Sequence, residues 1–124
     1  MSRTDAPALR AATGEFCRSL LEAILPAVRL TARHHGYAVA VHGSLSRDID
    51  LIAVAWREHN VSDPDELVRA ICGAIAGVTG SCLRQADSTK KPHGRVAFTL
   101  IHGGFIGEID LSVIPPTRGP GVID

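Results

Sequence analysis

Apolar side chains spaced four and seven positions apart predict an amphipathic helix near the start of the chain, from residue 7 to about residue 33. Pro26 falls inside this pattern and is expected to kink or split the helix, because proline lacks an N–H and crowds the preceding turn. A second helix is predicted after Asp63, which is followed by a proline and, three positions beyond the cap, by a glutamate. The glycines up to Gly80 are expected to end this helix.

Extended runs of apolar and β-branched residues lie between the helices and after them. Strands are predicted at residues 37–41 and 49–56, in a short segment within residues 81–89, and in a hairpin made of Val96–His102 and Phe105–Ile114 around Gly103-Gly104. Both faces of the run at residues 49–56 are largely apolar, so this strand is expected to be central and covered on both sides. The order of elements predicts an α/β protein of the α+β kind, with helices on one side of a mixed β-sheet of about four to five strands.

Size, charge and cysteine content narrow the class of protein. A length of 124 residues with 45% apolar residues is sufficient for one domain with a modest core, with irregular ends at residues 1–6 and 115–124. Thirteen basic and thirteen acidic side chains cancel, which argues against extensive nucleic-acid binding. No apolar run reaches the roughly 18 residues that a membrane span requires. Three cysteines without C-x-x-C spacing are typical of a protein of the reducing cytoplasm.

Two short acidic motifs lie in the extended runs. Asp48 and Asp50 are two positions apart, so on a strand both carboxylates lie on one face. Glu108 and Asp110 repeat this spacing on the last predicted strand, where Glu108 either adds a fourth carboxylate or lies outside the site. Adjacent like charges are unfavourable unless a cation lies between them. A hard divalent metal prefers carboxylate oxygens and keeps room for phosphates, so a metal site is expected here.

Together with Gly43-Ser44, these aspartates resemble the signature of the nucleotidyltransferase superfamily typified by DNA polymerase beta, and in particular of its minimal members. That signature is an apolar strand that ends in Gly-Ser, an Asp-x-Asp on the next strand and a third aspartate on a later strand. Here the three parts are Gly43-Ser44-Leu45-Ser46-Arg47, Asp48-Ile49-Asp50 and Asp110. The family usually places a longer segment with a helical turn between Gly-Ser and Asp-x-Asp, whereas here only Leu45-Ser46-Arg47 intervene.

The resemblance implies a transfer of a nucleoside monophosphate from a nucleoside triphosphate to a hydroxyl of a protein or small molecule. Asp48, Asp50 and Asp110 are then expected to bind two Mg²⁺ or Mn²⁺ ions, and Asp110 to accept the proton of the attacking hydroxyl. Gly43 and Ser44 are expected to contact the phosphates. Small members of the family often act with a partner, for example as antitoxins that transfer AMP to a toxin, so a protein partner or a homodimer is expected.

Basic residues near the motifs have two interpretations each. Lys90, Lys91, His93 and Arg95 form the densest basic cluster, which either binds the triphosphate or an acidic partner, or is a solvated turn. Arg47 either contacts the nucleotide or neutralises the neighbouring aspartates, in which case it takes the place of a metal.

A second hypothesis follows from the short segment after Gly-Ser. In it the fold and some aspartates are kept without turnover, and the protein is a nucleotide- or protein-binding module, for example a regulatory or antitoxin-like factor. Metal-dependent nucleotide binding with pyrophosphate release is expected of the enzyme, and binding without release is expected of the module.

Overall fold

The helices and strands follow each other in the order that the sequence predicts. The computed structural model describes residues 7–85, 88–102 and 107–116. Its helices are α1 (Pro7–His34) and α2 (Pro64–Thr79). Its strands are β1 (Tyr37–His42), β2 (Ile49–Ala55), β3 (Leu83–Arg84), β4 (Thr89–Lys90), β5 (Val96–Ile101) and β6 (Ile109–Ile114), and a short 3₁₀ helix covers Pro92–Gly94.

The α+β class and the mixed sheet are confirmed. In the described part of the chain the sheet has six strands rather than four to five, because the segment after α2 forms two separate two-residue strands, β3 and β4. Irregular ends are predicted at residues 1–6 and 115–124; residues 1–6 and 117–124, like the hairpin turn at Gly103-Gly104, lie outside the described residues. Pro115 and Pro116 are described and form no regular secondary structure.

The last strand, β6, lies in the middle of the sheet. The strand order is β1-β2-β6-β5-β3, and β4 also pairs with β5. β6 runs antiparallel to β5 but parallel to β2, with Ile49 beside Ile109 and Leu51 beside Leu111. Parallel neighbours cannot be joined by a tight turn, so α2 and the strands β3 to β5 form the long connection between β2 and β6.

Both helices pack on one face of the sheet, and this face carries the core. Alternate side chains of β2 and β6 are fully buried there, namely Ile49, Leu51, Ala53, Ile109, Leu111 and Val113. They form one cluster with buried residues of α1 such as Ile24 and of α2 such as Leu67. Because side chains alternate along a strand, the residues between them, including Asp50 and Asp110, lie on the other face.

That other face is not covered by either helix, so the prediction that β2 is covered on both sides is wrong. The strand is central, with β1 and β6 as its neighbours, yet Val54 is 40% exposed and Trp56, just beyond the strand, is 54% exposed. The apolar residues on this face of β2 are therefore not fully buried. In the described part of the chain, one face of the sheet is left accessible beside the two aspartates.

Helix α1 continues through Pro26 and is not split, unlike one of the two outcomes that the sequence predicts. Pro26 is exposed, and the carbonyl that loses its partner belongs to the exposed residue Glu22, where water can hydrate it. In the described ranges of the chain, no helix is both long enough and apolar enough to cross a membrane.

Helix α2 begins and ends as the sequence predicts. The Asp63 side chain accepts a hydrogen bond of 2.9 Å from the Glu66 amide, and a proline occupies the first turn. At the other end Gly80 has a φ of 95°, and its N–H donates to the Ala76 carbonyl. This left-handed position favours glycine, which ends the helix at low cost.

Replacing Gly77 in α2 by alanine is expected to stabilise the protein. An added Cβ at Gly77 meets nothing within 4 Å, and alanine has the higher helix propensity, so the free energy of unfolding should rise by roughly 0.5–1 kcal/mol. Urea denaturation measures the change. Gly80→Ala is the matched control and should lower stability because of its positive φ. A destabilising Gly77→Ala substitution would contradict the exposed position of this residue.

Candidate functional site

Strands β2 and β6 place two of the predicted aspartates side by side. In their parallel pairing Asp50 is the direct neighbour of Asp110. Neighbouring strands are about 4.8 Å apart, and laterally paired residues point to the same face. Both aspartates are partly exposed on the uncovered face of the sheet. The structure therefore brings together two carboxylates that are 60 positions apart in the sequence.

Asp48 lies at the same end of the sheet but is held differently. It precedes β2, and its Oδ1 accepts a hydrogen bond of 2.9 Å from the Glu108 amide. The Glu108 carbonyl in turn accepts a bond of 3.0 Å from the Ile49 amide. These two bonds join the starts of β2 and β6, so one Asp48 oxygen has a structural role. In the part of the chain that the structure describes, Arg47 pairs only with Asp48, at 3.8 Å from Oδ2, and the Arg47 side chain is largely exposed whereas that of Asp48 is half-buried.

The negative charge at this end of the sheet is concentrated around Asp110. Burial raises the pKa of the Asp110 carboxyl above its usual range, and the charges of Asp50, Glu108 and Asp48 raise it further. A hydrogen bond with the Asp50 carboxyl acts in the same direction. Each of these causes favours the neutral acid, so among the described residues the pair of Asp50 and Asp110 lacks a neighbouring positive charge that would stabilise its ionised form.

The turn after β1 lies against Asp50. Gly43 has a φ of +82°, and a Cβ placed on it would lie 2.5 Å from Asp50 Oδ2. Glycine is therefore required both by the backbone conformation and by the closeness of the carboxylate. Leu45 also has a positive φ, of 58°, which is rare for a residue with a branched side chain. The hydroxyls of Ser44 and Ser46 are 2.8 Å apart and stabilise the turn from within.

A cavity of about 600 Å³ connects the turn with the acidic residues. Its acidic lining comprises Asp48, Asp50 and Glu108, its hydroxyl groups come from Thr13, Ser44 and Ser46, and its basic residues are Arg10 and Arg47. Asp110 contacts Asp50 but does not itself belong to this lining. The volume is typical of a small-molecule site, and the mixed charge suits a ligand that carries both phosphate and metal.

Two of these lining residues, Arg10 and Thr13, belong to α1 and were not among the residues that the sequence singled out. The Thr13 hydroxyl donates to the Leu9 carbonyl at 2.9 Å, so it is already used within the helix. Arg10 is exposed on the first turns of α1. No local pattern distinguishes it from the other arginines of the helix, because its role depends on which way α1 is rotated against the turn.

The basic cluster is placed elsewhere. Lys90 pairs with Val96 of β5. Asp110 pairs with Thr99, which lies three residues further along the same strand. Lys90, Lys91 and Arg95 do not line the cavity, and the side chain of His93 lies outside the described part of the structure. A role of this cluster in nucleotide binding stays a prediction that the geometry of the cavity does not favour.

The carboxylates fit one kind of metal site. Among the described residues, no group of three or more His, Cys, Asp and Glu side chains is placed to hold a metal ion. Mg²⁺, however, is usually bound by one or two carboxylates, with water and substrate phosphates as its other ligands. Asp50 and Asp110 supply such a pair of hard oxygen donors. The residues therefore fit a cation that arrives with a phosphate ligand better than one held by the protein alone.

Replacing Asp110 by asparagine is expected to stabilise the metal-free protein at neutral pH. The raised pKa means that the folded protein binds a proton more tightly than the unfolded chain, so wild-type stability falls as pH rises from 3.8 through the folded pKa. Asparagine removes that loss. Denaturation in a chelator should show a higher free energy of unfolding for Asp110→Asn at pH 7 and a vanishing difference below pH 3.8.

The exposed Glu58 provides the control for this pH effect, since Glu58→Gln removes one charge remote from the site. The stability of this variant at pH 7 should equal that of the wild type. A less stable Asp110→Asn protein at pH 7 would mean that the ionised carboxylate is held by favourable contacts.

Replacing Gly43 by alanine is expected to displace the Asp50 carboxylate and to lower stability by about 1–2 kcal/mol, the usual cost of a left-handed alanine. Chemical denaturation measures the cost, and the side-chain carboxyl chemical shift of Asp50 reports the displacement. Gly73→Ala on α2 is the control, because a Cβ there meets nothing within 4 Å. An unchanged Asp50 signal would refute the close approach of the turn.

Comparison with known proteins adds nothing to the resemblance to nucleotidyltransferases, which rests on the residues described above. No protein-family model matches the sequence, and no curated protein is significantly similar to it. The features that bear on function are the aspartate pair of β2 and β6, the Gly43 turn that lies against Asp50, and the cavity lined by Asp50, Ser44 and Ser46.

Proposed function

We propose that this protein is a metal-dependent nucleotidyltransferase-like enzyme. It would transfer a nucleoside monophosphate from a nucleoside triphosphate to a hydroxyl of a protein or small molecule, with Mg²⁺ or Mn²⁺ as cofactor. Asp50 and Asp110 would hold the cation, Asp48 would lie at the edge of the site, and Gly43 with Ser44 would contact the phosphates.

One observation carries this proposal: the in-register pair Asp50 and Asp110 on adjacent parallel strands, with the Gly43 turn packed against Asp50. The nucleotidyltransferase hypothesis requires Asp110 to lie beside the Asp-x-Asp motif. Asp110 is 60 positions from Asp50, so no local sequence pattern predicts that the two residues are neighbours. The raised pKa of Asp110 adds support, since an acidic pair short of positive charge favours a cation.

The reaction follows from charge and position. The oxygen of the acceptor hydroxyl attacks the α-phosphorus, the bond from that phosphorus to the bridging oxygen breaks, and pyrophosphate leaves with the electron pair. The proton of the hydroxyl passes to Asp110 or to water. A bound divalent ion supplies the positive charge that offsets the carboxylates and phosphates in this step. The side chains of the turn contribute hydrogen-bond donors, and the rigid strands hold the carboxylates in place.

The acceptor and the location of the protein are part of the same proposal. The uncovered sheet face, with the exposed apolar residues Val54 and Trp56 toward the other end of β2, supports binding of a protein partner or a second copy of the chain. All three cysteines are free thiols, which supports a reducing cytoplasmic location.

A second function, a binding module without turnover, is favoured by one specific observation. One Asp48 carboxylate oxygen accepts a hydrogen bond from the Glu108 amide, which leaves Asp50 and Asp110 as the pair that would bind a cation. Two-metal phosphoryl transfer uses carboxylates that bridge both ions. With fewer ligands the same site can bind a nucleotide with its metal and serve a regulatory or antitoxin-like role.

Asp50→Asn is expected to lower nucleotidyl transfer by roughly 100-fold or more, because loss of a ligand removes several kcal/mol of charge stabilisation. The measurement is calorimetric titration with each nucleoside triphosphate, with and without Mg²⁺ or Mn²⁺, together with a pyrophosphate-release assay. Glu58→Gln, which changes the same charge far from the cavity, should behave as the wild type.

The outcomes separate the two functions. Metal-dependent binding with pyrophosphate release, both lost in Asp50→Asn, supports the enzyme. Binding without release supports the module. Full turnover in Asp50→Asn would refute the assignment of the site.

A further inference from the structure

We propose that Arg10 of helix α1 binds the terminal phosphates of the triphosphate, over the turn formed by Ser44, Leu45 and Ser46. The inference rests on the proposed function, because it assigns the anionic end of the same substrate. It also differs from one of the two interpretations of the basic cluster at Lys90, Lys91 and Arg95, in which that cluster binds the triphosphate.

The first argument is the shape of the surface around the turn. Besides the cavity of about 600 Å³ that contains the acidic residues, a second cavity of about 480 Å³ lies on the α1 side. Arg10, Ser44 and Ser46 line both cavities. The two cavities therefore adjoin at the turn of Ser44 and Ser46, and Arg10 lies where they meet. A ligand that extends from the aspartates across the turn passes this guanidinium.

The second argument is the way α1 approaches the turn. Gly14 is buried, and a Cβ placed on it would lie 3.5 Å from the Leu45 carbonyl oxygen. Residues four positions apart lie on one face of a helix, so Arg10, Gly14 and Arg18 form a single ridge. The small Gly14 lets the turn rest on this ridge, with one arginine on each side of the contact. The side chain of Arg18 is engaged, since it forms an ion pair of 2.5 Å with Glu15.

The third argument is the distribution of charge. Asp48, Asp50 and Glu108 repel a polyphosphate at one end of the cavity, so an anion needs positive charge at the other end. Arg10 is exposed and forms no ion pair within the described ranges of the chain. A guanidinium donates two parallel N–H bonds to phosphate oxygens, which a solvated lysine does not. Arg47, the other basic residue of this lining, already pairs with Asp48, so Arg10 is left to bind the phosphates of the ligand.

The fourth argument is the position of the alternative. Lys90 lies on β4, which pairs with β5, and β5 itself separates it from the strand of Asp110. Neither Lys90 nor Lys91 nor Arg95 lines either of the two cavities at the turn. The strand pairing thus places this cluster away from both cavities, although it is the densest group of basic residues in the sequence.

The test uses inorganic tripolyphosphate with Mg²⁺ as the probe, titrated calorimetrically into the 124-residue protein. Arg10→Gln should weaken binding roughly 10- to 100-fold, which corresponds to the loss of a hydrogen bond to a charged group. Arg33→Gln is the matched control, since Arg33 is an exposed arginine near the other end of the same helix. Its affinity should equal that of the wild type. Circular dichroism verifies that both variants are folded.

A triple variant, Lys90→Gln with Lys91→Gln and Arg95→Gln, tests the competing location. Wild-type affinity in this variant, together with loss in Arg10→Gln, supports the inference. Unchanged affinity in Arg10→Gln, equal loss in Arg33→Gln, or no binding of tripolyphosphate by the wild type would each overturn it.

The fate of the proposed function is decided separately. Loss of tripolyphosphate binding in Arg10→Gln without any pyrophosphate release by the wild type leaves the anion site in place and removes the enzymatic step. Pyrophosphate release that is unaffected by Arg10→Gln, with unchanged tripolyphosphate affinity, leaves the enzyme and removes the anion site.

Discussion

The parallel pairing of β2 with β6 is the constraint on which the candidate site depends. It sets Asp50 beside Asp110, although two ionised carboxylates at this distance repel each other by about 1–4 kcal/mol, depending on the local dielectric. The buried neighbours Ile49, Leu51 and Ile109 oppose that repulsion, each with about 1.5–3 kcal/mol of apolar burial. Packing on one face of the sheet therefore prevails over electrostatics on the other.

The one-sided packing of the sheet also explains where a ligand can reach the acidic pair. Helices α1 and α2 cover the face that carries the core, and the first turns of α1 extend to the Gly43 turn at the end of the sheet. The result is a cavity with walls from β2, from the start of β6 and from α1. The same arrangement leaves apolar side chains such as Val54 exposed on the uncovered face.

The fold was largely predictable from the sequence because its signals are local. Helical spacing, the Asp63 cap and alternating strands give α1, α2 and the main strands. The uncovered face was not predicted, because apolar residues such as Ile52 and Val54 indicate a buried position. The sequence of a strand does not show how many layers pack on it. The proximity of Asp50 and Asp110 came from a family resemblance, as strand order is a long-range property. Arg10 was missed because the rotation of α1 against the turn depends on tertiary packing.

The long connection between β2 and β6 has a consequence for how the protein acquires its site. The hydrogen bond from Glu108 to Asp48 joins residues 60 positions apart, so forming it requires closure of a large loop at a substantial entropic cost. Contacts of this kind slow folding, and local elements such as α1 and the β1–β2 pair can form first. The carboxylates meet only when the final strand docks between β2 and β5. A chain in which β6 has not yet docked therefore lacks the pair of Asp50 and Asp110, and it cannot bind a ligand through this pair until the last strand is in place.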